Sequence, residues 1–242
     1  MTGQRSAAGA ERHRERIIEA ASELLKQGRD AVSTRTVSAA AGVQAPVIYR
    51  LFGDKEGLLD AVAVHGYTAH LAQKKALTRT EDPVDHLRSG WEQNISFALA
   101  NPSLYALIWG EPRPGAPMAA AEESYKSLRE SIHRIAEAGR LRVSEELATQ
   151  MVHAAGRGTA LTLISQPAEQ RDSALSGANR DAVISAIVSG EPPASTSGGT
   201  VEPAATAIAL RAVLPRSTAL TKRERAMLEE WLDRIAGHDP TA

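Results

Sequence analysis

The stretch Ser33–Leu59, STRTVSAAAGVQAPVIYRLFGDKEGLL, constrains the fold more than any other part of the chain. It reads as a short helix, a tight turn at Gly42-Val43, a second short helix and a newly capped third one. Ser33 is suited to N-cap the first, with Val37 and Ala40 expected to face inward and Gly42 to end it. The second starts near Gln44, with Pro46 in its first turn, where a missing N–H has no intrahelical acceptor to lose. Ile48 and Phe52, four residues apart, are expected on its inner face. Asp54 then caps a helix whose Leu58, Leu59 and Val62 face the core. Two short helices joined by a turn of about three or four residues form a helix-turn-helix, whose second helix enters the DNA major groove.

The rest of the chain is periodic in the same way. Residues 1–10 are small and polar and are expected to form a disordered basic tail. From Glu11 to Gln27, Ile17, Ile18, Ala21, Leu24 and Leu25 recur at helical spacing, and Gly28 is expected as a left-handed terminator. Further helices are expected near Pro83–Ala100, Pro102–Trp109, Met118–Ala138, Ser144–Ser165 and Arg171–Ser189. Residues 190–203, GEPPASTSGGTVEP, form a low-complexity stretch expected to be a mobile loop, followed by helices at Ala204–Leu214 and Thr221–Ala236. No alternating strand pattern and no internal repeat is evident. The expectation is an all-α chain, with a helix-turn-helix domain over residues 11–57 and a helical domain over residues 58–242.

The net charge of −1 conceals an asymmetry. Residues 1–55 hold nine Lys/Arg and six Asp/Glu, giving 9 − 6 = +3, against (28 − 9) − (29 − 6) = −4 for the remainder. A basic end on a mildly acidic body suits a DNA-reading domain on a separate partner domain. The chain has no Cys, so there is no disulfide framework and no thiolate metal site. No apolar run approaches the roughly 20 residues of a membrane span, and the N-terminus lacks the apolar core of a secretory signal. A soluble, cytoplasmic protein without membrane association is expected.

Catalytic chemistry needs a constellation, and none is convincing. His65 and His70 are five apart and miss the i, i+4 spacing of a helical metal pair. Gly156-Arg157-Gly158 resembles a fragment of a phosphate loop but has no preceding strand. Adjacent carboxylates such as Glu122-Glu123 and Glu145-Glu146 suit a solvated face or a helix N-terminus. The reading is not an enzyme, with no cofactor and no metal.

The segment from about Arg14 to Val64 resembles the TetR family of bacterial transcriptional regulators. The resemblance rests on RIIEAASELL followed by Gly, on AAGV at Ala40–Val43, on Ile48-Tyr49, and on FGDKEGLL at Phe52–Leu59. It departs from the family at Leu25, where Phe is frequent, and at Ser38, where Ala is usual and where a hydroxyl is expected to meet backbone. The family implies a three-helix DNA-binding domain on a helical domain that dimerises and binds a small-molecule effector. It also implies repression of a promoter carrying a near-palindromic operator.

On that frame Tyr49 corresponds to a position that usually donates its hydroxyl to a phosphate. Lys55, at a helix N-terminus, and Thr34 and Arg35 are candidate phosphate contacts. Gln44, Ala45, Val47 and Arg50 face outward for base reading. Gln can pair with adenine and Arg with guanine, while Ala45, Val47 and Pro46 can pack on thymine methyls. Arg50 suits a phosphate equally well. Arg12, Arg14 and Arg16 are further candidates for the backbone or the minor groove. Trp91, Phe97, Tyr105 and Trp109, with His153 and Arg157, are candidate effector contacts, and each also reads as ordinary core or ion-pair material. The small-residue run Ala154–Ala160 suits a dimer interface or intrachain packing. The alternative reading is a helical ligand-binding or protein-interaction module without specific DNA binding.

Overall fold

The computed structural model describes residues 2–76, 82–111, 118–189 and 203–237. Among them the regular elements are helical, with one isolated bridge between Leu141 and Val188. The α-helices are α1 (Thr2–Leu25), α2 (Thr34–Ala41), α3 (Ala45–Phe52), α4 (Lys55–Ala76), α5 (Pro83–Ala100) and α6 (Pro102–Trp109). They continue as α7 (Ala119–Glu137), α8 (Glu145–Ile164), α9 (Ser173–Ile187), α10 (Pro203–Val213) and α11 (Lys222–Ile235). The fold is all-α, as the periodicity indicates. The chain forms two compact units, residues 1–78 with 96–124 and residues 79–95 with 125–242. The boundary expected at 57/58 falls inside α4.

In the first unit, Ile17, Ile18, Ala21 and Leu25 of α1 are buried, as are Val37 and Ala41 of α2, Ile48 of α3 and Leu58, Leu59 and Val62 of α4. Each fully buried Ile, Leu or Val contributes about 1.5–3 kcal/mol. That packing holds α2 and α3 in place, because each is only 8 residues long and isolated helices of this length do not persist in water. In the second unit, α8 packs on α9, and α10 and α11 close over Ala207, Leu214 and Leu232.

Four expectations need correction. The helix begins at Thr2 where a disordered tail over residues 1–10 was expected. Ala7, Ala8 and Ala10 beside Gln4, Arg5 and Glu11 have high helix propensity and continue the α1 register backwards. Ala40 is exposed and Ala41 buried, because a helix starting at Thr34 with Val37 inward brings the i+4 position back to the core. Gly28 has φ 114° and ψ 160°, a positive-φ conformation outside the left-handed helical region, and turns the chain into a single 3-10 turn at Arg29–Ala31. Ser38, expected to hydrogen-bond to backbone, has its Oγ buried without a hydrogen-bond partner among the described residues. The loop expected over residues 190–203 lies, apart from Pro203, outside the described residues.

An unpartnered buried hydroxyl loses its water without regaining a bond. Ser38→Ala is therefore expected to stabilise the chain by about 1 kcal/mol. A raised urea midpoint at unchanged m-value is the expected result, and a lowered midpoint contradicts it.

Candidate nucleic-acid interface

The helix-turn-helix is built from local capping. Ser33 Oγ accepts the Thr36 N–H at 3.1 Å, and Thr36 Oγ1 accepts the Ser33 N–H at 2.9 Å, closing a capping box. Thr36 Oγ1 also donates to the Ala31 carbonyl at 2.8 Å, which fixes the entry to α2. At the other end Gly42 is left-handed, with φ 62° and ψ 39°. Val43 N–H bonds to Ser38 O at 3.0 Å and Gly42 N–H to Ala39 O at 3.4 Å, the paired bonds of a Schellman stop. The Arg16 guanidinium donates to the Ala41 carbonyl and so fastens this turn to α1.

The α3 helix presents Ala45, Pro46, Val47, Tyr49 and Arg50 along one arc, with Ile48 on the opposite side against the core. Pro46 and Arg50 are exposed, Tyr49 is 53% exposed, and Ala45 and Val47 at the edges of the arc are half-buried. Gln44 is the exposed N-cap residue of α3 and its side chain makes no capping bond, which leaves its amide free for other partners. Arg35 is exposed and Thr34 half-buried in the first turn of α2. Lys55 opens α4, where Asp54 Oδ1 accepts the Gly57 N–H at 2.8 Å. The Asp54 carboxylate thus occupies one of the free α4 amides, so an anion at this terminus relies on Lys55 and the remaining N–H groups.

The charge distribution separates two kinds of cation. Arg35, Arg50 and Lys55 make no ion pair with any described residue. Arg29, in contrast, bonds Glu56 at 3.1 Å and also bonds Glu111, and these partners raise its already high pKa. Of the basic N-terminal residues, Arg16 is committed to the Ala41 carbonyl and Arg14 lies over the Phe52 ring at 5.6 Å. Both act within the protein, a role that sequence pattern does not reveal because their partners are 25 or more positions away. The Ser33/Thr36 reciprocity was legible in principle as a Ser-x-x-Thr variant of the capping box.

The candidate effector residues fall into separate groups. In the first unit Phe97, Tyr105 and Trp109 are buried together with Tyr67. Tyr105 and Trp109 have ring centroids 4.4 Å apart, and Tyr67 meets Trp109 edge-on at 5.4 Å. In the second unit Trp91 Nε1 donates to Ser176 Oγ at 3.0 Å, and its ring lies 3.6 Å from where a Cβ on Gly156 would sit. His153 meets Tyr125 edge-on at 5.4 Å, and burial, then the nearby Arg157 charge, pull its pKa below the ordinary value. Tyr67 and Tyr125 are the partners the sequence does not single out.

Residues 17–62 match the family described as bacterial regulatory proteins, tetR family. No curated protein matches the sequence significantly. Among solved structures, SmeT, the repressor of the Stenotrophomonas maltophilia multidrug efflux pump SmeDEF, superposes with a TM-score of 0.56 at 17% identity, covering 77% of this chain and 96% of its own. The TetR-family regulator HI0893 of Haemophilus influenzae Rd gives 0.53 at 22% identity, covering 74% and 98%. The regulator SCO7222, a TetR from Streptomyces coelicolor, gives 0.50 at 18% identity, covering 93% and 88%. At these identities the likeness is one of fold. Fold and matched segment together define a helix-turn-helix of the tetR type on an all-helical chain. Over residues 17–62 the chain is similar to the tetR family, and beyond them it shares the fold of these solved regulators.

A side chain at Gly42 would hold a left-handed conformation and would put Cβ 3.3 Å from the Arg16 guanidinium. Gly42→Ala is expected to cost about 1–2 kcal/mol of stability. Chemical denaturation measures this, and a variant as stable as the wild type contradicts the geometry of the stop.

Proposed function

We propose that the chain binds a near-palindromic duplex operator as a homodimer, represses transcription from it, and is released by a small-molecule effector. The observation that carries this reading is the outward arc of α3, flanked by cations that have no ion-pair partner among the described residues. Gln44 and Arg50 supply donors for base edges, and Ala45, Pro46 and Val47 offer apolar surface to thymine methyls. Thr34, Arg35, Tyr49 and Lys55 hold phosphates and thereby set register. Two copies place two such helices on half-sites about 34–36 Å apart, or a multiple of that, which accounts for the dimer and for operator symmetry. An effector that favours a different spacing of these helices lowers the population able to bind. Repression accords with SmeT, itself the repressor of an efflux pump. Trp91, Phe97, Tyr105, Trp109, His153 and Arg157 remain the candidate effector contacts.

The helix-turn-helix domain is taken as residues 11–57, with residues 58–242 for dimerisation and effector binding. Among the described residues no helix is long and apolar enough to cross a membrane. A cytoplasmic location follows from a DNA operator as partner.

The test is selection of bound duplexes from a random pool, followed by titration at several salt concentrations. A two-fold symmetric motif is expected. Lys55→Ala is expected to weaken all sequences alike and to reduce the salt slope by about 0.9. Gln44→Ala or Arg50→Ala is expected to cost about 1–3 kcal/mol and to relax preference at one base position in each half-site. Binding without any sequence preference would instead favour a ligand-binding or interaction module.

A further inference from the structure

An open groove of about 740 Å³ lies within the first unit, walled by α1, α4 and the start of α6. It falls inside the roughly 300–1,000 Å³ range of small-molecule pockets. None of the candidate effector residues lines it. Its floor is apolar, formed by Leu25, Val62 and Leu104, the first two buried. At its inner end α4 and α6 touch, since a Cβ on Gly66 would sit 2.5 Å from Leu104 Cδ2.

The α1 wall carries Glu19 and Glu23, one helical turn apart, so both carboxylates can approach the same charge. Glu19 has no partner among the described residues. Glu23 pairs with Lys26 at 2.7 Å, but these side chains are 71% and 70% exposed, and a pair so solvated yields readily to a better partner. The facing wall offers the His65 imidazole and the Ser103 hydroxyl. Two carboxylates against one ammonium, above an apolar floor, suit a monocation with an apolar body.

We propose that this groove is an effector site for a small organic cation carrying an apolar tail or ring. The ligand enters between α1, which seats the helix-turn-helix, and α6. Occupancy shifts α1 and α4 and so lowers duplex affinity. This last step rests on the DNA-binding reading, whereas the binding site does not.

The test is calorimetry on the full chain with octyltrimethylammonium and octanoate, two probes of matched chain length and opposite charge, both below micelle formation. The expected result is 1:1 binding of the cation, at least tenfold tighter than octanoate. Combined Glu19→Gln and Glu23→Gln should abolish that preference. Ala100→Trp, at an exposed position on the groove rim, should remove binding while cooperative unfolding is retained. Octanoate binding as tightly as the cation, or cation binding that survives both variants, overturns the site. Duplex affinity is measured separately with and without the cation. A chain that binds the cation but never a duplex retains the groove and sinks the regulator reading. A chain that binds its duplex but not the cation does the reverse, and unchanged duplex affinity with the cation bound overturns the coupling step.

Discussion

Everything proposed for the N-terminal segment depends on α1. Two helices of 8 residues have too few internal hydrogen bonds to persist alone, so they hold a DNA-reading geometry only when packed on something longer. Ile17, Ile18, Ala21 and Leu25 supply that surface, and burying three residues of Ile or Leu size outweighs any helix propensity in α2 or α3. Arg16 adds direction to this non-directional packing. Its bond to the Ala41 carbonyl satisfies an acceptor at the end of α2 and pins the Gly42 turn. The angle between α2 and α3 is thus set from outside the motif.

The same dependence divides the positive charge into two classes. Arg14, Arg16 and Arg29 are spent on a ring, a carbonyl and two carboxylates, and they assemble the support. Arg35, Arg50 and Lys55 have no such commitment among the described residues and stand on the outer side of α2, α3 and α4. A charge already neutralised within the protein releases few counterions on meeting a phosphate, whereas an uncommitted one releases nearly a full ion. The arrangement therefore leaves a small set of uncommitted cations on this segment despite a net charge of −1. Because α1 and α4 support the motif and also wall the groove, a molecule held there acts on the support rather than on the reading face.

Much of this was legible in the sequence wherever the cause is local. Ser33, Gly42, Pro46 and Asp54 mark boundaries through bonds made within a few residues, and the observed helices begin and end where they indicate. The later helices, bounded by Pro102, Ser144 and Thr221, follow the same logic. Where a one-residue register mattered, pattern was insufficient: Ala39, Ala40 and Ala41 are chemically identical, and only the packing of Val37 on α1 selects Ala41 as buried. Residues acting over long separations were not legible. Arg29 reaches Glu111 across 82 positions, and Trp91 reaches Ser176 across 85. The groove unites α1, α4 and α6 through tertiary packing alone, so no run of sequence announces it. The candidate effector aromatics lie close in sequence, yet Phe97, Tyr105 and Trp109 make tilted ring contacts in the first unit while Trp91 belongs to the second.

The central claim is that α2, α3 and the start of α4 form the surface that meets DNA. Hydrogen exchange read by mass spectrometry, with and without a selected duplex, tests it most directly. Slowed exchange concentrated in residues 33–56, with α1 amides protected in both states, is the predicted result. Protection confined to residues beyond 78, or no change in 33–56 at saturating duplex, would contradict it.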